Sequence, residues 1–468
     1  MRAPLVDTDA KQERLDASPA IARIAEYVAT AARAGTLSKT AEQSAVRCIL
    51  DLATAVVVGL DDRGARAVRT MALATIGPGR CPVWFTGETS NAIGAAFANS
   101  AAASALDLDD GNRLARGHPG AAVIPAALAV AAETGASSAD IIRAIVIGYE
   151  VAVTVGAARR FYANTGLWSC YGVVAAAAVL RGASQETIAH ALAIAGASAP
   201  NLLFSGAGPL HPFPEGSDVK EGIPWSTVTG LTALGLAAGG FTGPRNMLDS
   251  RELYAIDEAV AGLGPAEHIT RTYFKLYSCC RHGHAPIDAL CGLTARHGLE
   301  PGRLDAIELD TYSGALRLSN LTRPANLIDA QYSVPYCMAL AALVGRSALL
   351  PLDETALFRA DVSALADKVT LRLDPAIDAR FPAETLARVA VTSGGKRYVS
   401  EVTAPRGEAT SPLSWLELEE KFVTATRRIV TAEVQARFLA TARAARDGDL
   451  AVLVDGFRDI VLCGGNRR

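Results

Sequence analysis

Residues 106–125 read LDLDDGNRLARGHPGAAVIP, and the arrangement of the chain is best worked out from them. Three carboxylates (Asp107, Asp109, Asp110), two arginines (Arg113, Arg116) and the pair His118-Pro119 fall between two Ala-rich runs with almost no charge. Runs of that kind are buried as helices, and ionisable groups set beside a core are normally paired or used. One reading is an interhelix loop in which Asp109 or Asp110 caps the next helix. The other is a loop that binds carboxylates and moves protons.

Around this stretch the chain is apolar but poor in rings. Of 468 residues 50% are hydrophobic and only 6% aromatic, so Ala, Val, Leu and Ile must build the core. Small side chains let helices approach closely, which favours helical packing over a sandwich. The length exceeds one ordinary core, so roughly two or three units are expected. A net charge of −3 without a Lys/Arg run argues against nucleic acid or an anionic membrane as partner. We find no uninterrupted apolar stretch of about 18 residues. The polar start MRAPLVDTDAKQERLDASPA does not resemble a signal peptide. Eight cysteines are scattered without a CxxC or a Cys/His ladder, so no metal or cofactor site is expected. Reduced thiols in a chain without an export signal imply a cytoplasmic protein.

Periodicity divides the chain in three. From 20 to 267 the spacing is helical: Val46, Ile49, Leu50 and Ala53 recur after Thr40. Ser137 with Asp140 reads as a capping box, and 184–197 and 227–238 read as further helices. Residues 204–222 form a Gly- and Pro-rich polar loop carrying His211, Glu215, Asp218, Lys220 and Glu221. From 268 to 408 the period shortens. Strands are expected at 304–312, 369–373 and 388–392, with a Gly394-Gly395 hairpin into 396–403 and a helix over 333–344. From 409 to 468 helical character returns, opened by a second capping box at Ser414 and Glu417.

Two more motifs complete the pattern. Residues 274–290 read FKLYSCCRHGHAPIDAL, and Ala330-Gln331-Tyr332-Ser333 opens the helix over 333–344. With Asp107-Leu108-Asp109-Asp110, His118-Pro119 and Val123-Ile124-Pro125-Ala126-Ala127-Leu128-Ala129, they resemble the signatures of the MmgE/PrpD family. That family includes 2-methylcitrate dehydratase, cis-aconitate decarboxylase and iminodisuccinate epimerase. Lys275, Tyr277, Cys280, His284, Ile287, Asp288 and Ala289 match its second signature. The resemblance implies a mainly α fold: a large helical domain (20–267 and 409–468) with an inserted, smaller α+β lid (268–408) and an active-site cleft between them. It implies a homodimer and a small polycarboxylate as substrate. It also implies catalytic roles for Asp107, His118, Lys220, Lys275 and Tyr332, with Asp110, Arg113, Arg116 and His284 binding substrate.

Those residue types suit proton removal next to a carboxylate. The step needs a base of tuned pKa, cations for the substrate's carboxylates and a donor for the developing oxygen charge. His118 titrates in the right range, and Lys220 and Lys275 can bind carboxylates, or act as bases if burial lowers their pKa. Tyr332 can donate to a leaving group, and the arginines can clamp carboxylates. Cys279-Cys280 reads as a pair of inert thiols, and Tyr149 as helix packing. The sequence departs from the family pattern at Gly111, where a Thr is usual, and at Ala163-Asn164-Thr165-Gly166, where a His-Pro-Thr-Gly run is usual. Three functions are therefore carried forward: a cofactor-independent, dehydratase-like lyase acting on a di- or tricarboxylate, an epimerase of the iminodisuccinate type, and a non-catalytic carboxylate-binding protein.

Overall fold

The computed structural model describes residues 19–33, 36–161, 163–200 and 217–462. His211 and Glu215 of the polar loop, and Cys463, lie outside them. The chain is mainly α-helical. Its helices begin where the sequence supplies caps. Ser137 accepts from the Asp140 amide to open Ser138–Ala158, and Ser184 accepts from the Thr187 amide to open Gln185–Ala197. Ser414 and Glu417 bond reciprocally at the start of Trp415–Thr426. One helix starts earlier than its spacing indicates. It runs Ile223–Ala238, because Pro224 in the first turn needs no intrahelical N–H partner.

Small residues do what the composition suggests. Ser138–Ala158 and Thr165–Arg181 cross so closely that a Cβ on Gly172 would lie 2.5 Å from the Gly148 carbonyl oxygen. By length and composition Ser138–Ala158 could span a membrane, but 89% of its apolar window is buried in the protein's own core.

Apolar side chains gather into two main clusters. The larger draws on residues 20–274 and 413–462, so the last helices pack with the first. The smaller draws on 277–391 and contains a four-stranded sheet. Ala306–Thr311 lies centrally, parallel to Val369–Leu373 and antiparallel to Arg388–Ser393. Arg388–Ser393 then turns through Gly394 and Gly395, both at positive φ, into Lys396–Val399. The two clusters meet where residues 106–125 lie. Gly111–Asn112 pairs antiparallel with Thr272–Tyr273, and the Phe274 amide donates to the Gly407 carbonyl at 2.9 Å.

Candidate active site

Between the two clusters is a cavity of about 330 Å³. Asp107, Arg113, Arg116, His118, Tyr273, Lys275, Arg281, His282, Arg317 and Tyr332 line it. Five cationic side chains meet two carboxylates, Asp107 and Glu221, so the lining favours an anion.

Asp107 is the centre of the charge pattern. It sits at φ +53° in the turn after the helix Ala92–Ser104, a left-handed conformation uncommon outside glycine. Lys220 Nζ lies 3.0 Å from one carboxylate oxygen and Lys275 Nζ 2.8 Å from the other. Burial alone would push this carboxyl up, but Lys220, Lys275 and His118 hold it well below the usual carboxylate range. Lys275 spends a second N–H on the Asp107 carbonyl at 2.9 Å. Burial works against its charge, but Asp107, Tyr273 and Asp109 together override it, so its pKa is raised. Lys275 is thus a permanent cation here, and the expectation that burial could make it a base is corrected. Lys220 spends its three N–H bonds on Asp107 (3.0 Å), Tyr332 Oη (3.1 Å) and Gln331 Oε1 (3.3 Å), and does not itself line the cavity. It stands on three consecutive residues at positive φ, Lys220 to Gly222. Tyr332 in turn donates to Glu221 at 3.3 Å.

His118 precedes the helix Gly120–Thr134, and its ring is fixed from below. Nδ1 lies 2.8 Å from the Asp110 carbonyl, an atom that can only accept, so Nδ1 carries a proton. Asp109 is 3.3 Å from the same nitrogen, and Nε2 is 3.6 Å from Asp107. Burial would lower this imidazole's pKa, but Asp109 and Asp107 together outweigh it and the net shift is upward.

Asp110 and His284 do not reach the cavity, contrary to the substrate-binding roles expected for them. Asp110 accepts from Tyr149 Oη at 2.5 Å and from the Gly120 amide at 3.1 Å, so it caps the helix. The capped-loop reading therefore holds for this residue, and Tyr149 does more than pack. Burial, opposed by the Tyr149 bond and helped by Asp51 and Asp109, pushes Asp110 up to about 7. His284 accepts at Nδ1 from Arg281 (3.2 Å) and reaches the Cys279 carbonyl through Nε2 (3.3 Å), which uses both ring nitrogens. Beneath the loop Lys421, from Trp415–Thr426, meets Asp51 at 2.6 Å and the Leu108 carbonyl at 3.0 Å.

Arg113 and Arg116 do line the cavity. Arg113 and Arg281 share Glu408, and both guanidinium groups lie over the Tyr273 ring, 5.0 and 4.7 Å from its centre. Tyr273 also accounts for Gly111. A Cβ there would fall 2.3 Å from the tyrosine ring, so a threonine does not fit. Arg116 donates to the Arg159 carbonyl at 3.3 Å. Cys280 lines the cavity with its thiol pushed up to about 12 by burial, which leaves it unreactive. Asp107, Asp109 and His118 approach closely enough to ligate a cation. Both Asp107 oxygens are already taken by ammonium groups, so these residues fit a metal poorly.

Sequence reasoning named Glu221 only as part of the polar loop and passed over Arg281, His282, Arg317 and Glu408. Arg281 and His282 occupy unspecified positions of the second motif, and their density of charge was the available signal.

Residues 22–256 match the MmgE/PrpD N-terminal domain and residues 277–447 the MmgE/PrpD C-terminal domain. The chain belongs to the MmgE/PrpD family. This places it among enzymes of lyase type. A cis-aconitate decarboxylase of Aspergillus terreus is 30% identical over 375 residues, 70% of this chain and 74% of the relative. A second, from strain NIH 2624 / FGSC A1156, is 31% identical over 337 residues, 63% of this chain and 66% of that protein. In this family member both matched domains contribute to the cavity lining, His118 from the first and Arg281 to Tyr332 from the second, with Lys275 just before it.

Proposed function

We propose that this MmgE/PrpD protein is a lyase that removes a proton next to a carboxylate of a small di- or tricarboxylate, using its own side chains. The observation that carries the reading is His118: Nδ1 is committed to a backbone carbonyl, which leaves Nε2 as the acceptor in a cavity rich in cations. In the proposed step Nε2 takes the proton and the C–H electron pair passes onto the adjacent carboxylate. Lys275 and the arginines balance the added charge. The pair then forms a carbon–carbon double bond as the β-substituent leaves, and a departing oxygen takes a proton from Tyr332. The relatives' substrate, cis-aconitate, is itself a small polycarboxylate.

The test is proton NMR in D₂O with methylcitrate, citrate, cis-aconitate and iminodisuccinate. New alkene signals or loss of a carboxyl group with the wild type, reduced about 10²–10⁴-fold in His118→Gln, are expected. Full activity of a folded His118→Gln protein rules this base out. Because the His118 pKa is raised, kcat/KM should climb with pH through neutrality as the base form appears. Epimerisation is the second reading, favoured by one observation, a second proton-bearing group (the Tyr332 hydroxyl) on the same cavity as His118. Deuterium uptake with only stereoisomers formed selects it.

A further inference from the structure

His282 stands on the short turn Arg281–Gly283 and lines the cavity, yet no motif singled it out. Its Nδ1 lies 2.5 Å from Tyr312 Oη. Tyr312 is buried, stacked on Phe381 with ring centres 4.6 Å apart, and hydrogen-bonded to the Thr385 hydroxyl. Thr385 Oγ1 accepts from Arg113 Nη2 at 2.5 Å.

The bonds of this chain can all run one way from its first member. A guanidinium can only donate, so Thr385 accepts from Arg113 and passes its single O–H to Tyr312. With Tyr312 accepting from Thr385, its own O–H is available for His282 Nδ1, the direction that continues the chain. Nδ1 is then an acceptor, and in the neutral ring the proton must sit on Nε2. His118 has the opposite polarity: its Nδ1 donates to the Asp110 carbonyl and its Nε2 accepts. Two imidazoles with opposite polarity therefore share one cavity.

We propose that His282 is a catalytic residue, held as the Nε2–H tautomer by the chain Arg113–Thr385–Tyr312, and that this N–H binds the substrate oxygen on which charge develops. This rests on the reading of the cavity as the reaction site. Burial, with Arg113 and Lys275 nearby, holds the imidazole down at about 3, so it stays neutral across the working pH range. A neutral N–H is a suitable partner for an enolate-like oxygen, because it stabilises the charge without transferring its proton. Tyr312 and Thr385 are positioning residues, since they act only through the ring.

Nitrogen-15 NMR of histidine-labelled enzyme at pH 7.5 reads the tautomer directly. The seven histidines are few enough for His282 to be assigned by its loss in His282→Gln. An Nε2–H ring that stays neutral down to about pH 5 is expected. Tyr312→Phe keeps the stack on Phe381 and removes the hydroxyl. It should release the tautomer preference and lower kcat about tenfold with KM within about twofold, the equivalent of roughly 1.4 kcal/mol. An Nδ1–H ring in the wild type overturns the proposal, as does a Tyr312→Phe protein with unchanged tautomer and kcat. The tautomer is measured without turnover, so a failure to find any reaction would remove the functional reading while the spectrum still decides the state of His282.

Discussion

Asp107 and Glu408 each sit between two cations, and the four cations belong to different chemistries. Lys220 and Lys275 hold Asp107, while Arg113 and Arg281 hold Glu408. An ammonium is a compact point charge with three rotatable donors, whereas a guanidinium is a rigid fork suited to a carboxylate's two oxygens. The lysine end also has Tyr332 bonded to Lys220 and His118 beside Asp107, so groups able to exchange protons are concentrated there. At the arginine end the guanidinium groups are kept planar over Tyr273, an arrangement suited to gripping. The contrast teaches that a uniformly cationic wall can still be divided into a reacting end and an anchoring end.

The largest expected effect breaks the reacting end. Lys275→Met leaves one oxygen of a buried carboxylate without its cation. Removing one partner of a buried ion pair costs about 3–5 kcal/mol, to be read in urea denaturation. Turnover should fall at least ~10³-fold because the cation for the developing charge goes with it. Near-normal turnover would abolish the distinction between the ends. Glu408→Gln probes the anchoring end and should act with the opposite sign. It frees two guanidinium groups for the substrate, so KM should fall roughly 3–10-fold with kcat within about twofold. A large loss of kcat would mean that this end also takes part in the chemistry.

The smallest effect sharpens the comparison by asking what lies beneath it. Asp110 ionises near 4 when unfolded and near 7 when folded, so it lowers stability progressively as pH rises through that window. Asp110→Asn keeps an oxygen to accept from the Gly120 amide, places its NH2 beside the Tyr149 hydroxyl oxygen, which can accept from it, and removes the charge. Its melting temperature relative to wild type should therefore be higher at pH 8 than at pH 5, by on the order of 2–4 °C. An equal difference at both pH values would show that Asp110 does not titrate with folding.

Much of this was legible because local chemistry signals itself. Ser137, Ser184 and Ser414 marked helix starts through their hydroxyls, and Gly394-Gly395 marked a turn requiring positive φ. The motifs named Asp107, His118, Lys275 and Tyr332, and the fold brings them to one cavity. Facing was harder to read. His282 and His284 are two residues apart, but the turn at Arg281–Gly283 puts the first on the cavity and the second behind Arg281. Asp110 follows Asp109 in a run of acids, and only the helix start at Gly120 shows which one becomes a cap. Glu408 lies 295 residues from Arg113, and no spacing rule connects them.

The salt bridge beneath the loop has a consequence for how the protein is made. Asp51 is buried against Lys421, 370 positions later. At a synthesis rate of ~5–20 residues per second, Asp51 leaves the ribosome roughly 20–70 s before its counter-charge exists. Until then the loop carrying Asp107 lacks the ammonium that holds the Leu108 carbonyl. The nascent chain therefore cannot complete the support of its reaction site before residue 421 has been made, however early the first helices have packed.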